Sequence, residues 1–188
     1  MDFDAVINKR RSVRSFKSRL PSWKDILEAI DTANKSPFAG NINNLKFIII
    51  ENDVIIREIS KFAQQTWINE AGVLLIVCSD DIHLENLYGE RGRVYSKQQA
   101  GAAIITLLLK LTDLGLASCW VGAYNDELIK EKLSIPQHMQ VEAIIPIGYE
   151  KGKSGPKNKK SLDATIFWEK WDNRYRPVIT KEPQEKHS

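Results

Sequence analysis

The chain has 188 residues and a formal net charge of +3, with 43% hydrophobic and 27% charged residues. That balance fits a soluble globular protein long enough to bury one ordinary core, and the charge is too small to argue by itself for a nucleic-acid partner. Two cysteines and three histidines, none at metal-ligand spacing, exclude a zinc site of the usual pattern.

In chain order, "MDFDAVINKRR" is charged and lacks an apolar core, so it does not read as a signal peptide. Phe3, Val6 and Ile7 share one helix face. Arg10 and Arg14 extend that face, so a single helix is expected to deliver both arginines to one place. Ser22 reads as the N-cap of a second helix carrying Ile26, Leu27, Ile30 and Ala33, ended by Pro37 and the loop "FAGNINN". "KFIIIE" (46–51) reads as a buried strand, residues 53–65 as a short helix and "VLLIVCS" (73–79) as another strand. Residues 80–96 are polar and read as an irregular, mobile surface insertion.

Residues 98–114 are apolar nearly all round, the pattern of a helix buried on most sides, and its "AGAA" start admits close packing. The most apolar part, 100–109, closes at Lys110 after about half of the roughly 20 residues a membrane helix needs. "ASCWVG" reads as a strand, "NDELIKEKL" as a capped helix and "VEAIIPIGY" as the last strand. "EKGKSGPKNKKS" is a basic loop, "FWEKWDNRYRPV" closes the fold with aromatics, and residues 178–188 read as a disordered tail. Cys78 and Cys119 sit in apolar runs as buried free thiols, which suits a reducing, cytoplasmic setting. One α+β domain over residues 1–177 is expected.

Two phosphate-binding signatures fail: G-x-G-x-x-G does not occur, and "GYEKGKS" (148–154) is one residue short of a P-loop and precedes no helix. Cys119 has no base at a telling position for nucleophilic catalysis. "NKRRSVRSF" (8–16) carries more information. Arg10, Arg11 and Arg14 offer forked donors around the Ser12 hydroxyl, a combination suited to a phosphate monoester. The same composition also fits a solvated helix end or a nucleic-acid-binding patch.

"RRSVRSF" resembles the Arg-Arg-Ser-x-Arg-x-Phe opening of the nitroreductase family, flavin mononucleotide (FMN) oxidoreductases. "SPFAGNINNL" (36–45), "QQAGAAIITLLLKLTDLGLASCWVG" (98–122), "IPQHMQVEAIIPIGY" (135–149) and "KKSLDATIFWEKW" (159–171) resemble further family segments, in the family's order. The chain departs from the family at Phe38 (usually Ser), Asn43 (usually Gln) and Asn44-Leu45 (usually Pro-Trp), positions that bear on the contacts to the flavin ring and on substrate preference.

The resemblance implies a central, mostly antiparallel sheet flanked by helices in an interwoven homodimer. It implies that Arg10, Arg11 and Ser12 hold the FMN phosphate together with Lys159 and Lys160, and that Arg14 reaches the ribityl chain or pyrimidine edge as electrostatic support. Pro37, Phe38, Asn41 and Asn43 approach from the other chain, Gln64 serves the pyrimidine edge, and Trp120, Val121 and Gly122 pass along the ring. NADH or NADPH is the implied donor and a nitroaromatic, quinone or related small molecule the implied acceptor, exchanged in ping-pong fashion. Neither a catalytic side chain nor a metal is required, and no nucleic acid or membrane partner is expected. A specialised flavoenzyme of the same fold (a reductive dehalogenase or flavin-modifying enzyme) and a basic nucleic-acid-binding module are the competing readings.

Overall fold

The computed structural model describes residues 1–152, 155 and 159–177. They fall into two compact units, residues 1–154 and 155–188. In chain order the first unit contains α1 (Phe3–Lys9), β1 (Phe16–Lys17), α2 (Trp23–Ala33), β2 (Leu45–Ile50), α3 (Asp53–Phe62), β3 (Val73–Ser79), α4 (Ile82–Tyr88), α5 (Glu90–Asp113), β4 (Ala117–Ser118), α6 (Asp126–Leu133) and β5 (Gln140–Glu150). Two short 3-10 turns, Ala39–Asn41 and Thr66–Glu70, lie between them.

The sheet runs β1-β5-β3-β2, with β4 also on β5, and every one of these pairings is antiparallel. Successive side chains of a strand point to opposite faces. Leu74, Ile76 and Cys78 of β3 therefore enter one core with Ile56 and Ile59 of α3 and Ile129 of α6. Leu75 and Val77 enter the other, with Ala29 and Ala33 of α2 and Ala103, Ile104, Leu107 and Leu111 of α5. Helices cover both faces, so all seven residues of β3 are buried. This explains why "VLLIVCS" is continuously apolar instead of alternating.

The caps are chemical as well as positional. Ser22 accepts the Lys24 N–H at the start of α2, and Asn125 accepts the Leu128 N–H at the start of α6. The Asn52 carboxamide accepts the N–H groups of Val54 and Ile55 at the start of α3.

Two sequence expectations are corrected. The stretch 46–51 was expected to be a buried strand; β2 is instead the edge strand, and its Phe47, Ile48 and Ile49 are only half-buried. The stretch 80–96 is helical: α4 turns at Gly89 directly into α5, which begins two turns before its apolar run. Its composition conceals this because Gly92 reads as a loop signal. A Cβ there would lie 2.2 Å from the Leu84 carbonyl oxygen, so glycine permits the close approach of α4 and α5.

In the second unit the 3-10 turn Leu162–Ala164 precedes a cluster of its own aromatics. The Phe167 and Trp171 rings lie 4.7 Å apart, and the Arg174 guanidinium lies 4.5 Å from the Phe167 centroid. Residues 178–188 lie outside the described residues. Among the described residues no helix is long and apolar enough to cross a membrane.

Candidate functional site

The structure changes how the arginines are delivered. α1 ends at Lys9, and Arg10 leaves it with ψ 127°, its N–H still donated to the Val6 carbonyl. The chain then runs extended: Val13 donates its N–H to the Ser118 carbonyl at 3.0 Å, Ser12 bridges Ser118, and the Lys151 N–H donates to the Ser15 carbonyl. The expectation that one helix carries both Arg10 and Arg14 is therefore replaced by strand-like alternation. Backbone pairing beside β4 outweighs helix continuation, and burying Val13 fixes the register.

That alternation sorts the cluster. Arg10, Ser12 and Arg14 take the side of the strand opposite the buried Val13. Burial pushes the Cys119 thiol above its usual range, while the Arg14 charge, a hydrogen bond from Ser12 and the Arg10 charge partly oppose the rise. Arg11 turns to the other side: its guanidinium donates to the carbonyls of Asn8 and Arg10 and lines a shallow depression with Thr112, Leu116 and Glu150. Two guanidinium groups and a hydroxyl on one face are the donors a phosphate ester and a polar ring edge require. On donor chemistry these residues fit FMN.

Trp120 follows Cys119 and is 40% exposed, its ring set against α5 at Gly101. Val121 is buried and exchanges both backbone hydrogen bonds with Ile144, which fixes the course of the chain here. At Gly122 the space beside the backbone is open. Gln64 is exposed, with a left-handed φ of 52°, between α3 and the turn Thr66–Glu70.

Pro37 and Phe38 line a separate, uncharged depression with Tyr95, Gln98 and Ala102 of α5. Gly101 of α5 faces the indole, and the neighbouring Ala102 lines the depression at Phe38. Asn41 takes a left-handed φ of 58° directly after Gly40, also at 58°. Asn43 is used locally, donating to the Asn34 carboxamide oxygen and accepting the Leu45 N–H. Lys159 and Lys160 are exposed in the second unit.

Several site neighbours leave no trace in the sequence, because long-range hydrogen bonds identify them. Glu70 accepts from Ser15 and Phe16, and Trp67 lies under Arg14. Gln99 holds the 39–42 turn. Among the described residues no group of three His, Cys, Asp or Glu could hold a metal.

The family model described as the nitroreductase family matches residues 7–82 and 58–149. A Methanothermobacter thermautotrophicus protein described as "Putative NADH dehydrogenase/NAD(P)H nitroreductase" is 30% identical, covering 91% of this chain and 88% of its own. An iodotyrosine deiodinase of Thermotoga neapolitana is 24% identical over 77% of this chain and 86% of its own. Among solved structures, a nitroreductase family protein of Clostridium novyi NT superposes with a TM-score of 0.73 at 26% identity, covering 92% and 96% of the two chains. An FMN-dependent nitroreductase of Clostridium difficile R20291 shares the fold, with a TM-score of 0.77 at 20% identity over 90% and 100%.

Proposed function

The chain belongs to the nitroreductase family, and on that premise we propose that it is an FMN-dependent oxidoreductase carrying electrons from NADH or NADPH to nitroaromatic, quinone or related small-molecule acceptors. The observation that carries this reading is the extended run at residues 12 and 13, which buries Val13 and sets Ser12 and Arg14, with Arg10, on the opposite side of the strand. When bound, FMN supplies the redox chemistry, taking a hydride from the nicotinamide and passing the electrons to the acceptor that replaces it.

The chain's own residues bind and tune. Arg10 and Ser12 hold the phosphate, and Arg11 supports the segment through its carbonyl contacts. Arg14 keeps a fixed positive charge by the pyrimidine edge, where it favours added electron density without reorganisation. Trp120 and Gly122 would line the ring, held on course by the pairing of Val121 with Ile144, and Gln64 would serve its polar edge.

We assign Pro37, Phe38, Asn41 and Asn43 to the site of a second copy. The lining of the Phe38 depression supports this, since within one chain it includes none of Arg10, Ser12, Arg14 and Trp120. The exposed apolar side chains of Phe3, Ile7, Ile105 and Trp120 supply surface for such a homodimer. Light scattering of the flavin-loaded protein reads this directly, and a monomer that retains FMN contradicts it. Two buried free cysteines favour a reducing compartment such as the cytoplasm.

Steady-state kinetics test the reaction. With NADH or NADPH varied against a quinone, the proposal expects parallel double-reciprocal lines, because both substrates use the same space in turn. Intersecting lines contradict it. The deiodinase relative supports a second reading, reductive dehalogenation at the same site. Halide release from a halogenated phenol under reducing conditions, with quinone turnover absent, selects that reading.

A further inference from the structure

The turn Thr66–Glu70 touches the arginine segment twice. In a 3-10 helix side chains three residues apart eclipse one another, so Trp67 and Glu70 face the same way. The Glu70 carboxylate accepts the Ser15 hydroxyl at 3.0 Å and the Phe16 N–H at 3.1 Å. Three residues earlier, the Trp67 ring lies under the Arg14 guanidinium, 5.9 Å from carbon to centroid. The Phe16 N–H first, then the Ser15 hydroxyl and the Lys151 charge, hold the Glu70 carboxyl below the usual carboxylate range, so it is ionised near neutrality.

The same segment also braces the far side of the candidate site. The Gln65 carboxamide donates to the Ala123 carbonyl, and the Phe62 carbonyl accepts the Asn125 N–H. Residues 62–70 thus connect the two stretches, 10–16 and 119–125, that carry the candidate FMN contacts. Arg14 is exposed and long, and without a partner its many rotamers would cost entropy each time it met a ligand. A stacked face and a tethered neighbouring backbone reduce that cost in advance.

We propose that Glu70, acting with Trp67, is a positioning residue that fixes Arg14 for the flavin by tethering the Ser15 hydroxyl and the Phe16 backbone N–H. Glu70 contacts no candidate ligand position itself and acts only through the segment it holds. The inference rests on the proposed function, and the test separates the two.

The experiment compares the full-length parent with Glu70→Ala, Glu70→Gln, Arg14→Ala and the Glu70→Ala/Arg14→Ala double variant. Each is saturated with FMN, and the flavin reduction potential and the melting temperature are measured. Glu70→Ala is expected to lower the potential by at least half of the shift that Arg14→Ala produces. Glu70→Gln keeps an acceptor oxygen for the Phe16 N–H and should remain at the parent's potential. In the double variant the potential should equal that of Arg14→Ala alone, while the melting temperature still falls by the Glu70→Ala increment.

A merely structural Glu70 would lower the melting temperature and leave the potential at the parent's value, which overturns the positioning role. Equal and additive shifts from Glu70 and Arg14 overturn it too, because the effect would not pass through Arg14. A parent that takes up no FMN refutes the proposed function, and this inference with it. A parent that binds FMN and whose potential ignores Arg14→Ala overturns this inference, since Glu70 then has no Arg14 effect to transmit, and leaves the proposed function standing.

Discussion

Gln99 donates a hydrogen bond to the carboxamide oxygen of Asn44 at 2.5 Å, deep between α5 and the start of β2. The same Gln99 side chain accepts the Ala39 N–H at 3.0 Å and donates to the Ile42 carbonyl at 3.1 Å, closing both ends of the left-handed pair Gly40-Asn41. Asn44 in turn donates to the Asp80 carbonyl and to Ser96, whose hydroxyl donates to the buried Asp81 carboxylate. One of the positions where the chain departs from the family pattern is thus a junction in a buried polar chain. Partly satisfied networks of this kind are costly.

Replacing Gln99 by leucine should therefore do more than remove one contact. It strands the Asn44 oxygen and both ends of the turn, and a destabilisation of about 1–3 kcal/mol is expected. Urea unfolding measures it. The loop carrying Phe38 and Asn41 should also become more susceptible to limited proteolysis. A variant with the parent's midpoint and an equally resistant loop would contradict the role given to Gln99.

Arg10 and Arg14 should fail differently when each is replaced by alanine. Arg10→Ala removes a phosphate contact, and a charge-assisted hydrogen bond of roughly 1.5–3 kcal/mol predicts a loss of FMN affinity of one to two orders of magnitude. Flavin that remains bound should be reduced at a nearly normal rate. Arg14→Ala should mainly lower the reduction potential and slow hydride acceptance, with a smaller loss of FMN. Fluorescence titration and stopped-flow reduction separate the two, and identical behaviour would contradict the division of labour.

Stability should fall at alkaline pH through a buried thiol and a half-buried phenol. Burial first, and the Glu142 charge second, push the Cys78 thiol from 9.0 to about 11, with Lys130 opposing. Burial likewise raises the Tyr124 phenol, whose hydroxyl donates to the Val141 carbonyl. Both folded values lie above the unfolded ones, so this stabilisation is fully present below the unfolded values. For Cys78 it is lost as pH rises from 9.0 to about 11. Denaturant midpoints should be flat in this respect below pH 9 and decline above it. Cys78→Ala and Tyr124→Phe should each flatten part of the decline, and an unchanged slope in both would contradict the assignment.

The fold was legible wherever one local rule decided the outcome. Ser22 and Asn125 cap the helices their side-chain chemistry announces, and 73–79 coincides with β3 because burial on both faces leaves only apolar residues. Residues 80–96 misled because their order comes from one contact, Gly92 against the Leu84 carbonyl, which composition cannot express. Arg14 was assigned to a helix because its spacing from Arg10 fits one. The competing term, backbone pairing of residues 12 and 13 with Ser118, involves a partner more than a hundred positions away. The motif residues could be named from the sequence, whereas Glu70, Trp67 and Gln99 could not, because they hold others in place and share no spacing with them.

The most direct test of the central claim is the visible absorption spectrum of the purified protein, taken before and after denaturation. The account predicts a flavin spectrum from the native protein or, if it is purified without cofactor, its appearance on the protein after incubation with FMN and removal of the excess. Denaturation should then release FMN and no FAD, since the donors on the arginine face suit one phosphate and no dinucleotide fingerprint occurs in the chain. A colourless protein that takes up no added FMN would contradict the account at its root.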